Sequence, residues 1–93
     1  MDEPRYEWDE DKRAANLARH GVDFAEVHRF AWATALEVRD DRRPYGEERW
    51  IALGRLDGRL HVLVFTDRQD VIRVISLRKA NARERRAYEE AQT

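Results

Sequence analysis

Residues 48–77 read ERWIALGRLDGRLHVLVFTDRQDVIRVISL. Two apolar-rich runs, 48–54 and 59–66, flank the dipeptide Asp57-Gly58. Asp-Gly readily takes the positive φ angles of a tight hairpin turn, so the spacing predicts two antiparallel strands. After a second turn, predicted over 67–70, the run 71–77 places apolar residues at both odd and even positions. A strand with that pattern must be covered on both faces or nearly so.

The reading extends outward from this core. Residues 35–39 form a further expected strand, followed by the polar run 40–46. Toward the N-terminus, 5–8 is a short expected strand and Asp9 an N-cap, with Glu10 and Asp11 in the positive first turn of a helix. Ala14, Leu17 and Ala18 are expected to face inward, and Gly21 to end that helix. Asp23 and Glu26 form a capping-box pattern, with Val22 and Val27 spaced as a hydrophobic staple. They predict a second helix, burying Phe24, Val27 and Phe30, paired with the first as a hairpin. Asn81 and Glu84 repeat the capping box and begin a final helix, expected to turn Ala87, Tyr88 and Ala91 inward. The order is β-α-α-β-β-β-β-α in one domain over 1–93. This is the α+β class, with a mainly antiparallel sheet and helices packed on it.

Composition narrows the function. The 93-residue chain has no cysteine, so disulfides and thiolate metal sites are excluded. No run approaches the roughly 20 apolar residues that span a bilayer. The acidic N-terminus lacks a signal-like apolar stretch. A cytoplasmic protein without membrane contact is expected. Net charge is only −1, but its distribution is uneven. Asp2, Glu3, Glu7, Asp9, Glu10 and Asp11 crowd the start, while Arg73, Arg78, Lys79, Arg83, Arg85 and Arg86 crowd residues 73–86. Such asymmetry can build a cationic surface on a near-neutral protein, or simply a solvated helix face.

Nothing resembles a histidine–glutamate zinc motif, an EF-hand or a Gly-rich phosphate loop, and Ser76 is the only serine. No metal and no cofactor is expected. Arg, Lys, Glu and His remain as the chemical groups. Lys12, Asn16 and His20 recur every four residues and share one helix face. They either meet a ligand or hydrogen-bond the helix to the sheet. Arg73 interrupts an apolar strand, so it must be paired or face an open surface. Its partner would be an acid such as Glu47 or Glu48, or a phosphate.

The stretch Glu7-Trp8-Asp9, with Lys12, Asn16 and His20-Gly21-Val22-x-Phe24, resembles the opening of the BrnT family of toxins. Glu47-x-Arg49, Gly54 and Ile75-Ser76-x-Arg78-x-Ala80-x-x-x-Glu84-Arg85 continue the resemblance, over about residues 7–88. It implies a RelE-like fold and a ribonuclease toxin that inhibits translation. It also implies silencing by a BrnA-like antitoxin in a heterotetramer, with operator DNA contacted only through the antitoxin. Metal-independent cleavage of RNA proceeds by attack of a 2′-oxygen on the adjacent phosphate. Arg49 and Arg78 are then expected as clamps on the charged phosphate, with Lys79 assisting. Glu47 or His20 would act as base or acid, and Lys12, Arg73 and Arg85 as further RNA contacts. The rival readings are a non-catalytic RNA- or ribosome-binding inhibitor, and a regulatory subunit acting with a DNA-binding antitoxin.

Overall fold

The computed structural model describes residues 4–44 and 46–92. Asp2 and Glu3 of the acidic segment and Tyr45 of the polar run lie outside the described residues. The elements in chain order are β1 (Arg5–Glu7), α1 (Glu10–His20), 3₁₀ helices at Phe24–Arg29 and Trp32–Thr34, β2 (Leu36–Arg39), β3 (Trp50–Leu56), β4 (Arg59–Arg68), β5 (Val71–Lys79) and α2 (Ala82–Gln92). They form an α+β domain around one five-stranded sheet of order β1-β5-β4-β3-β2. Only the β1–β5 pairing is parallel; the other three are antiparallel.

The hairpin of β3 and β4 turns at Asp57-Gly58, with φ of 53° and 81°, as the dipeptide predicts. The second turn is tighter than the sequence suggests. Only Gln69 and Asp70 form it, both at positive φ (46° and 71°), and β4 and β5 each run further toward it. Between the two strands the register slips once. Val64 pairs with Ser76 but Phe65 with Val74, which leaves Ile75 as a bulge in β5. A bulge shifts the side-chain alternation by one.

Paired residues share a face of a sheet. One face carries Ala52, Leu63, Phe65, Val74 and Leu77 and packs against Val22, Phe24, Val27 and Phe30. The segment after Asp23 does have its reciprocal capping box, but the expected second α-helix is a six-residue 3₁₀ helix. The physical reason lies in the spacing. Phe24, Val27 and Phe30 are three apart, and a helix of three residues per turn stacks them in one line toward the core. Gly54 makes room there: a Cβ on it would stand 2.5 Å from Cζ of Phe30.

Helix α1 starts on Asp9, whose side chain accepts from the N–H groups of Asp11 and Lys12, and stops at left-handed Gly21. Its burial corrects the sequence reading. Ala14, Leu17 and Ala18 are exposed and Asn16 is buried. Beyond the short β1, α1 covers the flank of β5. There Asn16 Nδ2 donates to the carbonyls of Leu77 (2.7 Å) and Val22 (3.0 Å), and Asn16 Oδ1 accepts from Leu77 N–H (3.3 Å). One amide thus satisfies backbone groups that would otherwise need a further strand.

Helix α2 covers part of the second face, where Tyr88 and Ala80 pack with Leu60 and Val62. Tyr88 alone turns inward; Ala87 and Ala91 are exposed, because a single aromatic, with its hydroxyl on the Thr34 carbonyl (2.8 Å), spans the contact. The remainder of that face, including Ile51, Val64, Arg73 and Ser76, is partly open.

Candidate functional site

The open part of the second face collects the arginines. Thr66 pairs with Arg73, Val64 with Ser76 and Val62 with Arg78, so Arg73 and Arg78 point the same way. Five residues apart on a regular strand, they would face opposite sides; the bulge at Ile75 brings them together. Arg49 stands one residue before Trp50, whose partner is Phe65, and so comes next to Thr66 on the same face. Its carbonyl accepts from Asp40 N–H (2.8 Å). A cross-strand row therefore runs Asp40, Arg49, Thr66, Arg73, Glu7, from one side of the sheet to the other.

Carboxylates hold this row in place. Arg73 donates to Glu7 at 2.6 Å, across the β1–β5 pairing. The sequence reading offered Glu47 or Glu48 as its partner. The parallel β1, whose position no local pattern announces, supplies Glu7 instead. Glu47 pairs with Arg68 (2.8 Å) and Glu48 with Arg39 (3.2 Å). Asp40 has a fully buried carboxylate and grips Arg42 through two bonds of 2.7 and 2.8 Å.

Arg78 is anchored differently. Both terminal nitrogens donate to Glu84 (2.9 and 2.7 Å), which also closes the Asn81 capping box at the start of α2. That carboxylate raises the Arg78 pKa, opposed by burial. His20 lies near enough to feel the charge of Arg78. Burial first, then Arg19 and Arg78, push its pKa below the ordinary histidine value. A cavity of about 200 Å³ between α1 and the bulge is lined by Lys12, Asn16, His20, Ile75 and Ser76. The helix strip read from the sequence thus converges on one place, with Asn16 spent on the β5 backbone and Lys12 and His20 left at the rim.

Other candidates stand apart. Lys79 pairs with His61 and leaves β5 on the side opposite to Arg78. Arg85 donates to the Ala80 carbonyl (3.0 Å) and lines a cavity with Arg55, Leu60 and Tyr88. Glu47 sits with Glu37, Glu48, Asp67 and Asp70 around an acidic cavity of about 700 Å³. Among the described residues, no three His, Cys, Asp or Glu side chains converge as a metal-binding group.

Sequence reasoning missed Asp40, Arg42 and Thr66. Arg42 bears on the Arg78 end, where its charge opposes that of Arg78. The Thr66 hydroxyl is buried within the row without a hydrogen-bond partner among the described residues. No spacing in the sequence marks these positions, because the row exists only across strands.

A half-buried set of forked cations beside a neutral histidine suits an anionic, phosphate-bearing ligand. No helix is long and apolar enough to cross a membrane among the described residues. A search of curated proteins finds no match to the chain. The family model described as "Ribonuclease toxin, BrnT, of type II toxin-antitoxin system" matches residues 8–84. The chain therefore belongs to the BrnT family of ribonuclease toxins of type II toxin–antitoxin systems, with RNA as the substrate class and an antitoxin protein as partner.

Proposed function

We propose that the chain cleaves RNA on the open face of its sheet without a metal, and so inhibits translation. The observation that carries this reading is the convergence of Arg49, Arg73 and Arg78 on one face, with His20 at its border. His20, neutral near pH 7 because its pKa is depressed, removes the 2′-hydroxyl proton. The oxygen then attacks the adjacent phosphorus, the P–O5′ bond breaks, and the 5′-oxygen leaves with a proton taken from water. Arg49 and Arg78 bind the non-bridging oxygens as charge builds on the phosphorane. Arg73 and Lys12 hold flanking phosphates. Glu47 suits the base role less, since Arg68 already occupies both of its oxygens. Lys79 and Arg85 contribute longer-range attraction from outside the row.

In this reading a BrnA-like antitoxin covers the arginine face within a heterotetramer and alone contacts operator DNA. Incubating the purified chain with RNA in excess EDTA, then mapping ends, tests the chemistry. New fragments with 2′,3′-cyclic or 3′-phosphate ends are expected. A mobility shift with intact RNA would replace catalysis by binding, and activity only after magnesium addition would overturn the metal-free mechanism.

A further inference from the structure

The two sides of the sheet end differently. On one, β1 and the Asn16 amide occupy β5. On the other, β2 is outermost in the strand order. Its backbone directions follow from one bond. Asp40 N–H donates to Arg49 O, and these residues lie opposite each other. Hydrogen-bonding groups alternate along a strand, so those of Leu36 and Val38 also turn toward β3. Those of Glu37 and Arg39 turn outward.

We propose that a second copy of this chain docks here, β2 against β2 in antiparallel fashion, with the two-fold axis at Val38. In this register Glu37 of each copy faces Arg39 of the other. These are the residues whose backbone groups are free to exchange the ladder bonds. Val38 meets Val38 in the non-hydrogen-bonded position, where side chains approach most closely. Val38 is 48% exposed, more than the other exposed large hydrophobic, Leu17 at 39%. Pairing in phase one step to either side fails: centring on Glu37 opposes two glutamates, and centring on Arg39 opposes two arginines. Like charges directly opposite destabilise a pair, and unlike charges stabilise it.

Arg39 already meets Asp41 and Glu48 at 3.3 and 3.2 Å, with its side chain 54% exposed. Such exposed pairs yield readily to a better-placed acid. Glu37 makes no ion pair among the described residues. The charge pattern of β2 is self-complementary only under the rotation that also matches its hydrogen bonds. A four-residue contact is small beside the interfaces of permanent dimers, so the dimer is reversible, with a Kd on the order of 100 μM.

Sedimentation velocity from about 10 μM to about 1 mM tests this, over a range set by that Kd. The wild-type chain is expected to shift from monomer toward dimer. Glu37→Arg and Arg39→Glu, each placing like charges in register, are expected to stay monomeric while keeping the wild-type melting temperature within a few degrees. An equimolar mixture of the two variants restores unlike charges at both positions and is expected to recover the dimer. Val38→Arg, with like charges on the axis, also remains monomeric. A wild-type monomer at the highest concentration overturns the proposal and leaves the β2 edge to a strand of another protein. Dimerisation of the single variants, or a mixture that stays monomeric, overturns it equally. None of these readouts depends on RNA cleavage.

Discussion

The two faces of the sheet use the same strands for opposite purposes. On the face under the 3₁₀ helix at Phe24–Arg29, Phe24, Leu63 and Leu77 are wholly buried and the contacts are apolar. On the other face α2 covers only the end near Leu60 and Val62. The rest keeps Arg73 and Arg78 about one-third exposed, each held by a carboxylate. Strand alternation, shifted once by the bulge at Ile75, separates them, since neighbouring residues point to opposite sides. The buried apolar side chains and the proposed RNA-binding arginines thus lie on opposite faces of one sheet. The separation lets an arginine array sit on a 93-residue chain with a modest core.

That contrast is broken most directly in the core. Phe24→Ala removes a fully buried ring and is expected to cost about 3–5 kcal/mol. For a domain of this size the melting temperature would fall by roughly 15–30 °C. Calorimetry checks this, and a fall of only a few degrees would show a core that collapses around the gap. The next effect in size belongs to the open face. Arg49→Ala is expected to slow RNA cleavage about 100- to 1,000-fold, or roughly 3–4 kcal/mol in activation free energy, with melting changed by only a few degrees. A folded Arg49→Ala protein with undiminished single-turnover rates would remove that side chain from the mechanism.

The smallest expected effect lies where the covered and open parts of the second face meet. Glu84 ties Arg78 to α2, and the Arg78 fork, more than the Asn81 N–H, holds its carboxyl below the usual glutamate range. Its folded pKa is lower than its unfolded one. The stabilisation is therefore complete above the unfolded value and disappears as pH falls through the folded value. The pair is partly exposed, so Glu84→Gln is expected to cost about 1 kcal/mol near neutral pH. Urea titrations of both proteins should show this difference narrowing as pH falls below the usual glutamate range. A difference independent of pH would assign Glu84 to capping alone.

Much of the fold was legible in local signals. Asp57-Gly58 located a hairpin, and three caps at Asp9, Asp23 and Asn81 located helix starts, because each acts within a few residues. The element order and the family motifs at Trp8–Asp9, His20–Gly21 and Arg78–Glu84 were legible for the same reason. The arginine face proposed as the site was legible in part. Arg49, Arg73, Arg78 and His20 were named as candidates, but nothing local could tell that Arg73, and not Lys79, shares the face of Arg78. Burial of α1 was read with the wrong stripe, since periodicity treats Leu17 as inward and cannot anticipate an amide serving a strand edge.

By itself the sequence determined an α+β chain of the BrnT type, its turns, its caps and its inventory of cations. The tertiary structure alone decided that Ile75 bulges, that Arg73 pairs with Glu7, and that Asp40 and Thr66 join the arginine row. It also decided that Asn16, not Leu17, is buried. Caps and turns are satisfied within four residues, so their energies are written in neighbouring side chains. Register, bulges and faces depend on strands tens of residues apart meeting at one alignment, and the energy that selects the alignment comes from burying both together.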